Sequence, residues 1–107
     1  MTTQAAFNTW LLDIAHLAEF QAVHFRPART AHGWRTPVQG DGVGWPDWVL
    51  VQPGRIIVAE ITQPGKRLTP GQEDWLELWE QAGAEAYHWT TEDHEKVMKA
   101  LRVNRRG

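Results

Sequence analysis

Two carboxylates, Asp47 and Glu60, stand at the open ends of the run Gly44-Trp45-Pro46-Asp47-Trp48-Val49-Leu50-Val51-Gln52-Pro53-Gly54-Arg55-Ile56-Ile57-Val58-Ala59-Glu60-Ile61-Thr62. The run reads as two strands joined by a Pro53-Gly54 turn. If Gln52 and Arg55 flank a symmetric turn, Asp47 lies across from Glu60 and both side chains point to one face, with Cβ atoms about 5 Å apart. Like charges placed that way repel. Val49, Val51, Ile56 and Val58 make the rest of that face apolar, so the pair needs a neutraliser, and a divalent cation is the simplest one. The register decides the matter. Pro-Gly suits a type II turn better than the primed turns of two-residue hairpins, and a loop one residue longer would put the acids on opposite faces.

The elements that position this pair follow from periodicity and capping. Thr3 caps a first helix whose Phe7, Trp10, Leu11, Ile14, Leu17 and Ala18 repeat at helical spacing and pack one face on a sheet. Gln21 to Phe25 reads as a short strand. Residues 26 to 46 are rich in Pro and Gly with little periodicity and read as one long loop, ordered around a ligand by Trp34, Trp45 and three arginines. The hairpin strands are apolar on both faces, as in the interior of a covered sheet. A basic turn, Gln63-Pro64-Gly65-Lys66-Arg67, leads to Thr69-Pro70-Gly71-Gln72, a Thr cap with Pro at the first helical position and Gln three after the cap. That helix carries Trp75, Leu78, Trp79 and Ala82 inward and stops at Gly83. Ala86 to Trp89 is a fourth strand, Thr90 or Thr91 caps a last helix with Val97, Met98 and Leu101, and 102 to 107 is a frayed basic tail. The order is α-β-β-β-α-β-α.

Composition bounds the answer. A chain of 107 residues makes one domain with one core. It has no cysteine, which removes disulfides and thiolate-held zinc and permits a reducing compartment. No apolar run approaches the roughly 20 residues of a membrane helix, and Met1-Thr2-Thr3-Gln4 opens no signal-like segment, so a soluble cytoplasmic protein is expected. The net charge of -2 argues against indiscriminate coating of nucleic acid. The charge is uneven, however: Arg26, Arg29 and Arg35 fall in a stretch with no acid between Glu19 and Asp41. Seven tryptophans exceed what a small core needs, and more than one is expected at an interface.

The order of elements, with an acid at the start of the second strand and another near the end of the third, resembles the PD-(D/E)XK nuclease superfamily. Within it the chain is similar to the small stand-alone VRR-NUC proteins of phages and bacteria. The resemblance rests on His24-Phe25-Arg26-Pro27, Gly44-Trp45-Pro46-Asp47, Ala59-Glu60-Ile61-Thr62, Leu68 with Gln72 and Trp75, and Gly83 with Tyr87 and Trp89. It covers most of the chain and implies an α/β, restriction-endonuclease-like α-β-β-β-α-β core, a central mixed sheet flanked by helices, over residues 1–107. It also implies that Asp47, Glu60 and the backbone carbonyl of Ile61 hold one or two divalent metals. Oxygen-only ligands suit Mg²⁺ or Mn²⁺, which polarise a phosphate and lower the pKa of a bound water. The implied activity is a metal-dependent DNA endonuclease acting on branched or flapped DNA as a homodimer, in a bacterial cell or phage-infected host.

Each of these residues also has a plainer role. Asp47 can cap a strand and Glu60 can pair with an arginine. Where the family carries a lysine two residues after the glutamate, this chain has Thr62, and losing one such electrostatic group costs about 10² to 10³ in rate. Lys66 either reaches back from the next turn or contacts DNA backbone as a solvated cation. Gln72 either lies near the metal-bound water or serves as the capping-box partner of Thr69. The family's acid in the first helix has only the neutral Gln4 as its counterpart. Arg26, Arg29, Arg35, Lys66 and Arg67 form a phosphate track or a solvated surface. Asp41, between Gly40 and Gly42, either joins the metal shell or serves as a turn residue, and the turn is the favoured reading. The histidines at 16, 24, 32, 88 and 94 show no zinc spacing and default to core or surface roles. The competing reading is a catalytically inactive nuclease fold that binds DNA or protein; a purely structural phage protein ranks behind both.

Overall fold

A computed structural model describes residues 2–25, 28–30, 33–35 and 39–103, with backbone alone at 28–30 and 33–35. Helix α1 (Gln4–Leu17) starts where Thr3 Oγ1 accepts the Ala6 N–H at 3.0 Å. Its buried residues Phe7, Leu11 and Ala15 recur every fourth position, the spacing of a single helical stripe. Leu17, expected on that stripe, is 68% exposed: the helix ends there, and Glu19 at φ 67° turns the chain away into β1.

A four-stranded mixed sheet has the order β1 (Gln21–His24), β4 (Trp48–Gln52), β5 (Arg55–Thr62), β6 (Glu85–Thr90). β1 and β4 pair antiparallel, as do β4 and β5, whereas β5 and β6 are parallel through the crossover helix α2 (Pro70–Gln81). The mixed α/β fold is as expected. The segment 26 to 46 departs from the expected single loop, because β2 (Ala28–Thr30) and β3 (Gly33–Arg35) pair antiparallel as a separate two-stranded sheet. Three-residue strands carry too few side chains to show an alternation, so pairing rather than pattern defines them.

The core lies on one face of the large sheet. Trp48, Leu50, Ile57, Ala59, Ile61 and Trp89 pack there against Phe7 and Leu11 of α1 and Val97 and Leu101 of α3 (His94–Leu101). Trp48 is held on both sides: its indole N–H donates to Asn8 Oδ1 at 3.0 Å, and its ring stacks on His24 at 4.5 Å between centroids. Val58, Glu60 and Thr62, alternating with the core residues along β5, face the other way. That second face is not fully covered, contrary to expectation: Val51 and Ile56, paired next to the Pro53-Gly54 turn, are 43% and 41% exposed, and α2 rests mainly on β6 and β5 without covering this end. Leu78 of α2 and its C-cap residue Ala82 also point outward, since the helix buries no residue completely and rests on Trp75 and Trp79. At the start of α3 the cap is Asp93 instead of Thr90 or Thr91, and its carboxylate accepts the Thr90 N–H at 2.8 Å. The tail is shorter than expected, as Val103 packs on the core; residues 104–107 lie outside the described set. Among the described residues no helix is long and apolar enough to cross a membrane.

Arg55 closes the far end of the sheet. It donates twice to Glu85, at 2.8 and 2.7 Å, and once to the Ala100 carbonyl at 2.8 Å, over the ring of Phe20. This fork raises the Arg55 pKa and lowers that of Glu85. The Arg55 side chain is 13% exposed and that of Glu85 36%, so Arg55→Met leaves a carboxylate that water only partly rescues. Urea unfolding is expected to show a loss of roughly 2 kcal/mol, most of it recovered when Glu85→Met is added. A single-variant midpoint equal to wild type would place the pair's contribution near zero.

Candidate active site

The two-residue turn at Pro53-Gly54, with Gly54 at φ 81°, sets Gln52 opposite Arg55 and Trp48 opposite Ala59. One residue further along, Asp47 meets Glu60. The Asp47 N–H donates to Glu60 Oε1 at 3.2 Å, and the Ile61 N–H donates to Asp47 Oδ2 at 2.9 Å. Each acid is therefore fixed by the backbone of the other's strand. Glu60 is 0% exposed, and its Oε2 has no partner among the described residues. Burial, then the charge of Asp47 and the hydrogen bond to it, push the Glu60 carboxyl up to about 9. Before a cation binds, this shift favours the protonated carboxyl, and a cation that binds displaces the proton.

Above the pair opens a cavity of about 320 Å³. Asp47, Ile61, Thr62, Lys66, Arg67 and Gln72 all line it, so most of the residues singled out in the sequence converge on one place. Glu60 lies beneath the lining. The turn closed by Lys66 N–H on the Gln63 carbonyl, at 3.2 Å, brings the two cations to the rim. Arg26, Arg29 and Arg35 fall outside the described side chains. Asp41 lines a different cavity, and its carbonyl accepts the Trp75 indole N–H at 3.1 Å.

Three polar groups at the cavity are already engaged. Gln72 Oε1 accepts the Thr69 N–H at 2.9 Å while Thr69 Oγ1 accepts the Gln72 N–H at 3.2 Å, a complete capping box. Thr62 Oγ1 lies 2.8 Å from His88 Nε2. Gln4, another lining residue, donates its amide N–H to the Ile61 carbonyl at 2.9 Å. The last two contacts were not legible from motif spacing. His88 pairs with Glu60 across the parallel β5–β6 ladder, and that register depends on the length of the crossover rather than on a local signal.

The donor set of Asp47, Glu60 and Ile61 is oxygen-only: two carboxyl groups and a backbone carbonyl. The orphaned, fully buried Oε2 of Glu60 is the atom a hard cation would satisfy. A cation on the Ile61 carbonyl and the present Gln4 hydrogen bond exclude each other in that direction of the lone pair. Among the described residues no group of three or more His, Cys, Asp or Glu side chains converges, so carbonyl, amide and water oxygens would complete any coordination shell. No family model, curated protein or solved structure matches the chain.

Proposed function

We propose that this chain is a metal-dependent DNA endonuclease of the VRR-NUC kind, hydrolysing phosphodiester bonds with Mg²⁺ or Mn²⁺ held by Asp47, Glu60 and the Ile61 carbonyl. The observation that carries the reading is the facing acid pair on the floor of a cavity rimmed by Lys66 and Arg67. Paired carboxylates supply the negative field that a cation needs, and the two side-chain cations supply donors for phosphate oxygens. A bound metal would polarise the phosphate and acidify a water. Thr62 brings no charge to this centre, and slow turnover is the expected consequence. Action on branched or flapped DNA, and a homodimeric state, belong to the same proposal.

The test is incubation with supercoiled and branched DNA in Mg²⁺ or Mn²⁺. Cleavage is expected to disappear in Asp47→Ala and Glu60→Ala, and Thr62→Lys is expected to raise the rate by about 10². Cleavage that persists in both alanine variants would remove the assignment.

A second reading, a nuclease fold that binds DNA or protein without cutting it, draws on a separate observation: Gln4, Thr62 and Gln72 are each already hydrogen-bonded within the protein, to the Ile61 carbonyl, His88 and Thr69. It expects salt-dependent DNA binding with no cleavage. Calorimetric detection of tight Mn²⁺ binding lost in Glu60→Gln would count against it.

A further inference from the structure

We infer that a second cavity, lined by Phe25, Gln39, Asp41, Gly42, Trp45 and Trp75, binds one unpaired nucleobase of a single-stranded segment whose backbone passes the acid cavity. This rests on the nucleic-acid reading above and names a site that reading does not contain. The cavity holds about 300 Å³, the lower end for ligand pockets, and its walls are mostly apolar. It has room for one ring system and not for a duplex.

Its walls are aromatic and fixed. Trp45 sits edge-to-face with Phe25 (5.7 Å, 79°), Trp75 (5.0 Å, 73°) and Trp79 (5.6 Å, 70°), so the rings stand nearly at right angles and offer flat surfaces. Hydrogen bonds hold each wall by its frame. The Phe25 N–H donates to the Asp47 carbonyl at 2.8 Å, the Trp45 N–H to the Gly42 carbonyl at 3.0 Å, and the Trp75 indole to the Asp41 carbonyl. A planar ligand therefore meets a site that pays little ordering entropy. At the rim, the amide of Gln39 and the carboxylate of Asp41 can pair with the amino and carbonyl groups of a base edge.

Position selects a nucleobase over other flat or cationic ligands. Gln72 lines the acid cavity and Trp75, three residues on along α2, lines the aromatic one, so a single helix face walls both. Trp45 lies two residues before Asp47. On this inference a strand whose phosphate meets Lys66 and Arg67 lays a neighbouring base on the aromatic walls, where stacking is tolerant of base identity.

The experiment measures binding of a labelled single-stranded DNA octamer, and of the same octamer with every base removed, in EDTA so that cleavage plays no part. Wild type is expected to bind the intact octamer about 10-fold or more tightly than the abasic one. Trp75→Ala is expected to bring the intact octamer down to the abasic affinity, Trp75→Phe to restore most of the difference, and Lys66→Ala to weaken both octamers alike. Equal binding of the two octamers by wild type, or binding of neither, overturns the inference. So does tryptophan quenching by a trimethyllysine peptide in preference to the octamer, which would make the cavity a cation cage. If Trp75→Ala is unfolded by circular dichroism, the wild-type comparison of the two octamers decides alone. DNA cleavage in Mn²⁺ without base selectivity would leave the nuclease reading standing and remove this one; base-selective binding without cleavage would do the reverse.

Discussion

Unfolding of the metal-free protein is expected to show a stability that falls from about pH 5 to about pH 9, at up to roughly 1 kcal/mol per pH unit, and Glu60→Gln is expected to abolish the fall. The sign follows from the direction of the shift. The Glu60 carboxyl is raised from the ordinary carboxylate range to about 9 by burial and by Asp47, so between those values the folded state binds a proton that the unfolded chain has released. Stability from this source is complete below the unfolded pKa and is lost as pH rises through the folded one. Glu85 works in the other direction. Its pKa is lowered by Arg55, and its contribution is lost as pH falls through the folded value, which confines it to the acid limb. Glutamine preserves the shape of Glu60 without the ionisation, so the variant should overtake wild type in stability at pH 8. Added Mn²⁺ should raise the wild-type melting temperature more at pH 8 than at pH 6, and should do nothing for Glu60→Gln. A wild-type curve that is flat between pH 6 and 9 would contradict the protonated pair.

Replacing Gly44 by alanine is expected to cost roughly 2 to 5 kcal/mol, the sum of a left-handed backbone penalty and a clash with rigid neighbours. Gly44 has φ +85°, and a Cβ there would meet the backbone of Gly71, 2.5 Å from its oxygen, and the Gln72 nitrogen at 2.7 Å. Neither can step aside, because both belong to the first turn of α2 and Gln72 is locked in the capping box. Gly40→Ala is the control: it has φ +89° with no described atom within 4 Å of its Cβ, so it carries only the backbone term of about 1 kcal/mol. Chemical denaturation of the two variants side by side separates the terms. Similar losses at both positions would mean that the Gly44–Gly71 contact gives way easily. If the contact is rigid, Gly44→Ala should also lower octamer binding, since the same contact sets the Asp47 loop against α2.

Local signals foretold local structure well. The Pro53-Gly54 turn gave the register that faces Asp47 with Glu60, and Thr69-Pro70-Gly71-Gln72 gave the start of α2 with its full capping box. What remained hidden depends on partners far away in the chain. Gln4 reaching Ile61, Thr62 reaching His88 and Gly44 lying on Gly71 are meetings of separate elements, and nothing in the residue types announces them. Of the two roles expected for Gln72, the structure shows the capping box, made through its Oε1. Apolar content misled where exposure is set by coverage. Val51 and Ile56 have the composition of core residues, yet the helix on that face leaves them open, and Leu78 lies on the outer side of that same helix.

The bond from Gln4 to the Ile61 carbonyl ties the cavity to the first turn of α1. Anything joined to the chain ahead of Thr3, whether an affinity tag, a fusion partner or a preceding domain, therefore attaches within a few residues of the acid cavity. Joined after Val103, the same addition departs from the end of α3, which shares the core face with α1 but contributes no residue to the acid cavity. The position of an attachment is therefore an experimental variable in its own right: at the front it is a neighbour of the proposed substrate path, and at the back it is a bystander.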